Sequence, residues 1–425
     1  MAHASTSSEI PAPDYATPTE ENHDTVVSLW FLFKIFLSIG SVAFGGFMAL
    51  ISVIENRIVK QHSLLEHKEM LDAISLANLL PGPQAVNVVA FIGYRLRGPV
   101  GALISCVAIL IPAFTLILLL SYLYFRYGEI VSVQKVFQGF IPAVTAIVMS
   151  VVWRLGKKTI TGRSEFVLML FACIIMLLAP LTYKIYATLG IIASFGLIGY
   201  KLYLKRYTKN LTVKVHKPFS LARLLIVISF LLMLVVLWFL PLPLEKNSML
   251  LLILTFASMS LMLFGGGYVF IPVIGSVVVL QYGWVSQQEF TDGIAMGQIT
   301  PGPILISAAF IGFKVHGYLG ALLATIAIYA PPAILMVTAS RALSYIQGSA
   351  AMQAAMHSIH CGVIGMIAIA ALYLFQSAFP PWPFSLTEAW PSVLILLASL
   401  YALLRHNLDI LWIIPVSGAL GYLLY

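Results

Sequence analysis

The chain has 425 residues, of which 60% are hydrophobic and only 9% charged, and its mean hydropathy is +0.97. Soluble domains carry about 25% charged residues, so these values exclude a water-soluble fold and make the bilayer the solvent for most of the chain. The net charge of +8 lies mostly in loops between apolar segments, where it reads as a topology signal rather than nucleic-acid binding.

Residues 1–26 hold Glu9, Asp14, Glu20, Glu21 and Asp24 without one Lys or Arg. They predict a disordered acidic tail, and they lack the basic start of a cleaved signal peptide. Apolar segments follow near 28–54, 71–94, 100–123, 136–153, 165–180 and 185–203, a first unit over residues 27–205. A basic linker with one unpaired helix, 219–240, occupies 206–246. A second unit, 247–425, has segments near 248–274, 291–313, 318–340, 350–375, 388–404 and 408–425. About 20 apolar residues span the hydrocarbon core as a helix. The predicted fold is therefore an all-α polytopic membrane protein of about 13 transmembrane helices. A barrel would show alternating segments of about ten residues instead.

The two units are copies. Phe44-Gly45-Gly46 recurs 220 residues on as Phe264-Gly265-Gly266, and Glu69, Asp72 and Pro81-Gly82-Pro83 recur as Glu289, Asp292 and Pro301-Gly302-Pro303. After the loss of one residue, Phe91-Ile92-Gly93, Gly98 and Pro112 recur as Phe310-Ile311-Gly312, Gly317 and Pro331. Six spans plus one reverse the chain, so the repeats are expected to be inverted. One re-entrant segment per unit would make them parallel. Short cytoplasmic loops favour Lys and Arg. Thirteen spans put fifteen basic loop residues on the N-terminal side. Eight fall opposite: Arg57, Lys60, Lys68, Arg126, Lys135, Lys184, Lys246 and Lys314. That bias predicts a cytoplasmic N-terminus and an outside C-terminus in a plasma membrane.

Each Pro-Gly-Pro sits midway along an apolar segment. Proline removes a backbone donor and pushes the preceding residue out of helical geometry, so both segments should break. Broken backbone at membrane depth is tolerated only inside protein or along a wet cavity. The second proline suits the first position of a new helix. That leaves the N–H groups of Gln84, Ala85 and Val86, and of Ile304, Leu305 and Ile306, without intrahelical partners. Such N-termini carry roughly half a positive charge and bind oxyanions. A packing kink is the competing reading. Asn87 and Ser307 lie one turn past the breaks, and Asn78 and Gln298 one turn before; they can donate hydrogen bonds to substrate or glue helices together. Arg95 and Lys314 lie roughly 17 Å past the breaks, at the membrane surface, where they either draw anions towards a vestibule or mark topology.

Asp72 and Asp292 precede the breaks by about 13 Å and are proton-coupling candidates, with helix charge as the alternative. Ser63 with Glu66, and Ser286 with Glu289, have capping-box spacing. Gly45, Gly46, Gly265 and Gly266 allow unwinding at the substrate site or close packing. His357, His360 and Cys361 share a helical face, but the first unit has Phe137, Phe140 and Ile141 there, so no metal site is expected. Nor is any cofactor.

The duplicated order Phe-Gly-Gly, Glu-x-x-Asp, Pro-Gly-Pro, Phe-Ile-Gly and a basic residue resembles the chromate ion transporter family, in its two-domain form, over residues 28–425. Phe47 stands where many members have proline. The resemblance implies export of chromate as a sulfate-like dianion, driven by proton exchange. Sulfate or another oxyanion, an anion channel, and an intramembrane enzyme are the rival functions. An enzyme would need paired carboxylates, a metal cluster or a nucleophile–base pair at depth, and the matched segments offer amides, hydroxyls and backbone. A homo-oligomer is compatible with all of these.

Overall fold

The computed structural model describes residues 27–44, 47–128, 130–180, 183–208, 225, 228–229, 232–236, 245–264, 267, 270–340, 349–378 and 386–425. The acidic tail, Gly45, Gly46, Gly265, Gly266 and most of 209–244 lie outside the described residues. The described ones are almost wholly helical, with no strand among them. The first unit comprises α1 (Leu29–Val42), α2 (Phe47–Ile54, continued by a π-helix Glu55–Gln61), α3 (His67–Leu79), α4 (Gln84–Tyr127), α5 (Val131–Thr159), α6 (Arg163–Leu178) and α7 (Lys184–Thr208). The second comprises α8 (Met249–Ser260), α9 (Phe270–Gly275, continued by a π-helix Ser276–Gln281), α10 (Gln287–Ile299), α11 (Ser307–Ser340, preceded by a 3-10 turn Ile304–Ile306), α12 (Ala350–Ser377), α13 (Leu386–Arg405) and α14 (Ile410–Leu424). Among the described residues, five helices are long and apolar enough to cross a membrane: Gln84–Tyr127, Val131–Thr159, Tyr186–Thr208, Ile304–Ser340 and Ala350–Gln376. Large apolar side chains such as Trp153, Leu178, Leu197 and Leu423 face outwards, as a lipid-solvated surface requires.

The expected breaks are present, and the two broken segments, counted as spans from their apolar length, do not run straight through. A continuous helix would hold Glu69 and Arg95 about 39 Å apart, yet Arg95 Nε donates to Glu69 Oε1 at 3.2 Å. Lys314 Nζ likewise donates to Glu289 Oε1 at 2.9 Å. The segments 71–94 and 291–313 therefore fold back at Pro-Gly-Pro into hairpins, with both ends on one side. Along the second hairpin a Cβ on Gly293 would meet the Phe310 ring and one on Gly297 the Ser307 hydroxyl, so its limbs touch throughout. The described ends that flank each Phe-Gly-Gly also come together. Phe31, near the start of α1, meets His62, just past α2, with ring centroids 5.3 Å apart. In the second unit Trp284 Nε1 donates to the carbonyl of Lys246 at 2.7 Å.

After its hairpin limb, α4 breaks at Arg97–Gly98 and α11 at His316–Gly317, where the glycines take φ values of +63° and +60°. Glycine adopts these without a Cβ penalty. The chain then reverses: a Cβ on Gly93 would lie 2.5 Å from the Gly101 carbonyl, and one on Gly312 2.3 Å from that of Gly320. The long limbs 99–127 and 318–340 follow, and the helices that carry them, α4 and α11, pack against each other between the units. The other inter-unit contacts are reciprocal. In unit one α5 packs on α13 and α14, while its repeat partner α12 packs on α6 and α7.

Two caps separate what spacing foretold from what it missed. Ser286 and Glu289 form the expected box, with Glu289 N donating to Ser286 Oγ at 3.1 Å and Ser286 N to Glu289 Oε2 at 2.8 Å. Ser63 does not cap α3; it sits at φ +48° in the loop. Glu66 is the cap, and its N–H donates to Glu69 Oε2 at 3.3 Å.

Candidate functional site at the helix breaks

The two Pro-Gly-Pro tips dock on the opposite unit at matching places. Gly82 N donates to the Leu263 carbonyl at 2.8 Å, and Gly302 N donates to the Ala43 carbonyl at 2.8 Å. Leu263 and Ala43 each precede a Phe-Gly-Gly by one residue. Both tip glycines need positive φ, +104° and +114°. A Cβ on Gly82 would meet Pro332 in the middle of the limb 318–340, and one on Gly302 would touch Ala113 in the middle of 99–127. One turn of 318–340 carries contacts to both breaks. Pro332 abuts Gly82, while Tyr329 Oη, three residues earlier, donates to the Pro303 carbonyl at 3.3 Å.

The helix starts expected past the breaks are present, though not identical. In unit one the first α-helical bond is Asn87 N to Pro83 O at 3.0 Å, which leaves the N–H groups of Gln84, Ala85 and Val86 without intrahelical partners. In unit two Ile306 N donates to Pro303 O at 3.1 Å, so only Ile304 and Leu305 keep free N–H groups within that turn. The surroundings are buried: Ala85, Asn87, Ile304, Leu305 and Ser307 are all nearly inaccessible. Asn87 Nδ2 donates across the break to Pro81 O at 3.2 Å, and its Oδ1 is buried without a partner. Gln298 is buried with Nε2 unpartnered, whereas its repeat partner Asn78 is half-buried. Ser307 Oγ donates to Ile304 O at 3.0 Å, a local cap.

Three predicted site groups are placed elsewhere. Arg95 and Lys314 stand at the open bases of the hairpins, each tied to a glutamate, and Lys314 also lies 4.9 Å from the Phe125 ring centroid. Each ion pair joins the two limbs of its own hairpin, a structural role for both cations. Asp72 is half-buried. Asp292 is fully buried, accepts from Tyr124 Oη at 2.8 Å on Oδ2, and leaves Oδ1 unpartnered. Sequence reasoning missed Tyr124 and Tyr329, because their partners lie 168 and 26 residues away and neither tyrosine stands in a matched motif. Among the described residues no group of three His, Cys, Asp or Glu could hold a metal ion. His357 is turned instead to Glu165.

The fold and its broken hairpins define a helical multi-pass membrane protein with polar backbone exposed to protein at depth. The comparison with known proteins names the class more closely. Residues 30–200 and 250–422 match the family described as Chromate transporter, and the chain belongs to that family, whose members are transporters rather than enzymes. It is 28% identical to an uncharacterized transporter of Methanocaldococcus jannaschii over 92% of this chain and 94% of that one. It is 26% identical to a chromate transport protein of Pseudomonas aeruginosa over 93% and 92%, and 28% identical to a probable chromate transport protein of Synechococcus elongatus over 73% and 75%. No solved structure matches the chain.

Proposed function

We propose that this protein carries a chromate-like dianion out of the cell through a site between the two docked Pro-Gly-Pro tips. The observation that carries this reading is the reciprocal docking. It presents the two helix starts, 84–86 and 304–305, to the same central region, beside the unpartnered amide of Gln298. Helix N-termini favour anions through their free N–H groups and dipole. Asn87, Ser307 and Asn78 line the approach in this reading. The relatives named for chromate transport support chromate over sulfate. Chromate and sulfate flux in inverted vesicles, with and without a pH gradient, tests substrate, direction and proton coupling together.

The repeats are inverted in this reading. The base of the first hairpin adjoins the start of limb 99–127. The second adjoins its end, through Asp292–Tyr124 and Lys314–Phe125. The Gly302 tip touches Ala113 midway along that limb, while the Gly82 tip meets Pro332 of the other limb; this supports hairpins entering from opposite sides and antiparallel units. Each unit then crosses four times; with the one crossing that the sequence predicts at 219–240, most of which lies outside the described residues, the total is nine in place of the thirteen expected. Arg57, Lys60 and Lys68 move to the N-terminal side. The basic residues then divide eighteen against five, more sharply than fifteen against eight. That bias supports a cytoplasmic N-terminus and an outside C-terminus. Asp292, and less directly Asp72, remain the carboxylates proposed to exchange protons during transport.

A further inference from the structure

We propose that Glu165 and His357 form a proton-binding site in the joint between the two units, separate from the anion site. Glu165 opens α6 in unit one, and its side chain is 3% exposed; His357 lies on α12 in unit two and is 16% exposed. His357 Nε2 stands 3.4 Å from Glu165 Oε1. Arg206 on α7 approaches the same oxygen at 3.7 Å, and Ser164 Oγ donates to Oε2 at 3.0 Å. The ring of Tyr203 meets His357 edge-on at 4.8 Å, and Tyr207 is at 6.2 Å. On α12 itself, His360 has a buried Nε2 without a partner, and Cys361 Sγ donates to the His357 carbonyl. Lys158 on α5 is the remaining charge that bears on this face.

Glu165 stands in the first turn of α6 with its side chain buried, where carboxylates seldom stay unless paired, and histidine changes charge between pH 5 and 8. Protonation turns a neutral ring beside Glu165 into an ion pair clamping α12 onto α6. Deprotonation leaves Glu165 to the exposed Arg206. The joint is tight: a Cβ on Gly199 of α7 would lie 2.5 Å from the Ala354 carbonyl of α12, so a change in the clamp is felt where the units meet. At the offset of 219 that holds after the lost residue, the matched position in unit one is Gln138 rather than Phe137, so the pair is no relic of duplication.

The test uses thermal unfolding of the detergent-purified full chain between pH 5.5 and 8.5, without substrate. The charged pair, where it forms, contributes stability at low pH that is lost as pH rises. The excess Tm of wild type over His357→Gln should therefore shrink by most of its value as pH rises. Glu165→Gln should lose the same pH-dependent part, and the double variant no more than either single. Arg206→Gln, at an exposed position, should move the transition to higher pH, because a positive charge competing for Glu165 is gone. Curves for His357→Gln that run parallel to wild type, or an unmoved transition in Arg206→Gln, overturn the proposal. If Glu165→Gln fails to fold, the Arg206→Gln shift decides alone. In proteoliposomes the pH profile of chromate flux should move with the same variants. This arm alone rests on the transport reading, so absent flux with an intact stability effect would count against that reading and not against the proton site.

Discussion

Gly82 and Gly302 occupy equivalent tips, yet alanine should not cost the same at both. Each glycine sits at a φ that L-residues rarely adopt, +104° and +114°, and such backbone strain costs about 1–3 kcal/mol. At Gly302 the new Cβ would rest 3.4 Å from the Ala113 methyl, an ordinary contact. At Gly82 it would lie 2.3 Å from Pro332 Cβ, part of a rigid ring in a buried limb, and overpacking of this kind adds about 1–3 kcal/mol. Gly302→Ala should therefore destabilise by about 1–3 kcal/mol and Gly82→Ala by about 2–6 kcal/mol. Both variants should also weaken transport, since the tip N–H bonds to Leu263 and Ala43 need the native tip geometry. Thermal unfolding of the purified variants gives the order, and Gly82→Ala with Pro332→Ala should recover part of the excess loss. Equal losses at both tips, or no rescue by Pro332→Ala, would refute the docking of Gly82 against Pro332.

Asn87→Ala should reduce chromate flux several-fold at unchanged expression, and Ser307→Ala should do so less, because the Ser307 hydroxyl already caps Ile304; wild-type flux in both would make these side chains packing alone. Asp292→Asn should abolish the response of flux to an imposed pH gradient while substrate binding survives, with Asp72→Asn the weaker of the two; a wild-type response in both singles and the double variant would assign these carboxylates to helix charge. Tyr124→Phe removes the one hydroxyl donated to Asp292 and should move the pH response without removing it, as measured by the same flux. Single cysteines placed at His62 and Gly283 in a cysteine-free background should label from opposite faces of the membrane; labelling from one face would refute the inverted arrangement.

The helical fold, the duplication and the breaks were legible because they rest on local chemistry: proline's missing donor, apolar length, and motifs recurring at a fixed offset. The folding back was not. A window of about 20 apolar residues has the same hydropathy whether it crosses the membrane or turns midway. The signal that would have found it was present at the ends. Glu69 with Arg95 and Glu289 with Lys314 put opposite charges on either side of a central break, in both units. A straight span would leave each charge alone on opposite faces, whereas a hairpin lets them pair. The same distance problem hid Tyr124, whose partner Asp292 belongs to the other unit, and it turned His357 from a metal candidate into the partner of Glu165.

The charges left at the tips bear on what the site can bind. Arg95 and Lys314 are committed to glutamates at the hairpin bases, at the far ends of limbs that rise about 20 Å. No described lysine or arginine is recorded against residues 81–87 or 301–307. Two helix starts supply roughly one positive charge between them, about half of what a dianion carries, and unit two offers one fewer free N–H than unit one. A fixed cation at the tips would hold the dianion more tightly and slow its release. Partial compensation by backbone and the Gln298 amide suits a carrier that must let its cargo go. It also places selectivity in hydrogen-bond geometry rather than net charge, so a neutral change such as Gln298→Leu should alter the ratio of chromate to sulfate flux, while Arg95→Gln, at the hairpin base, should lower both together. A ratio unchanged by Gln298→Leu and altered by Arg95→Gln would place discrimination at the hairpin base instead of the tips.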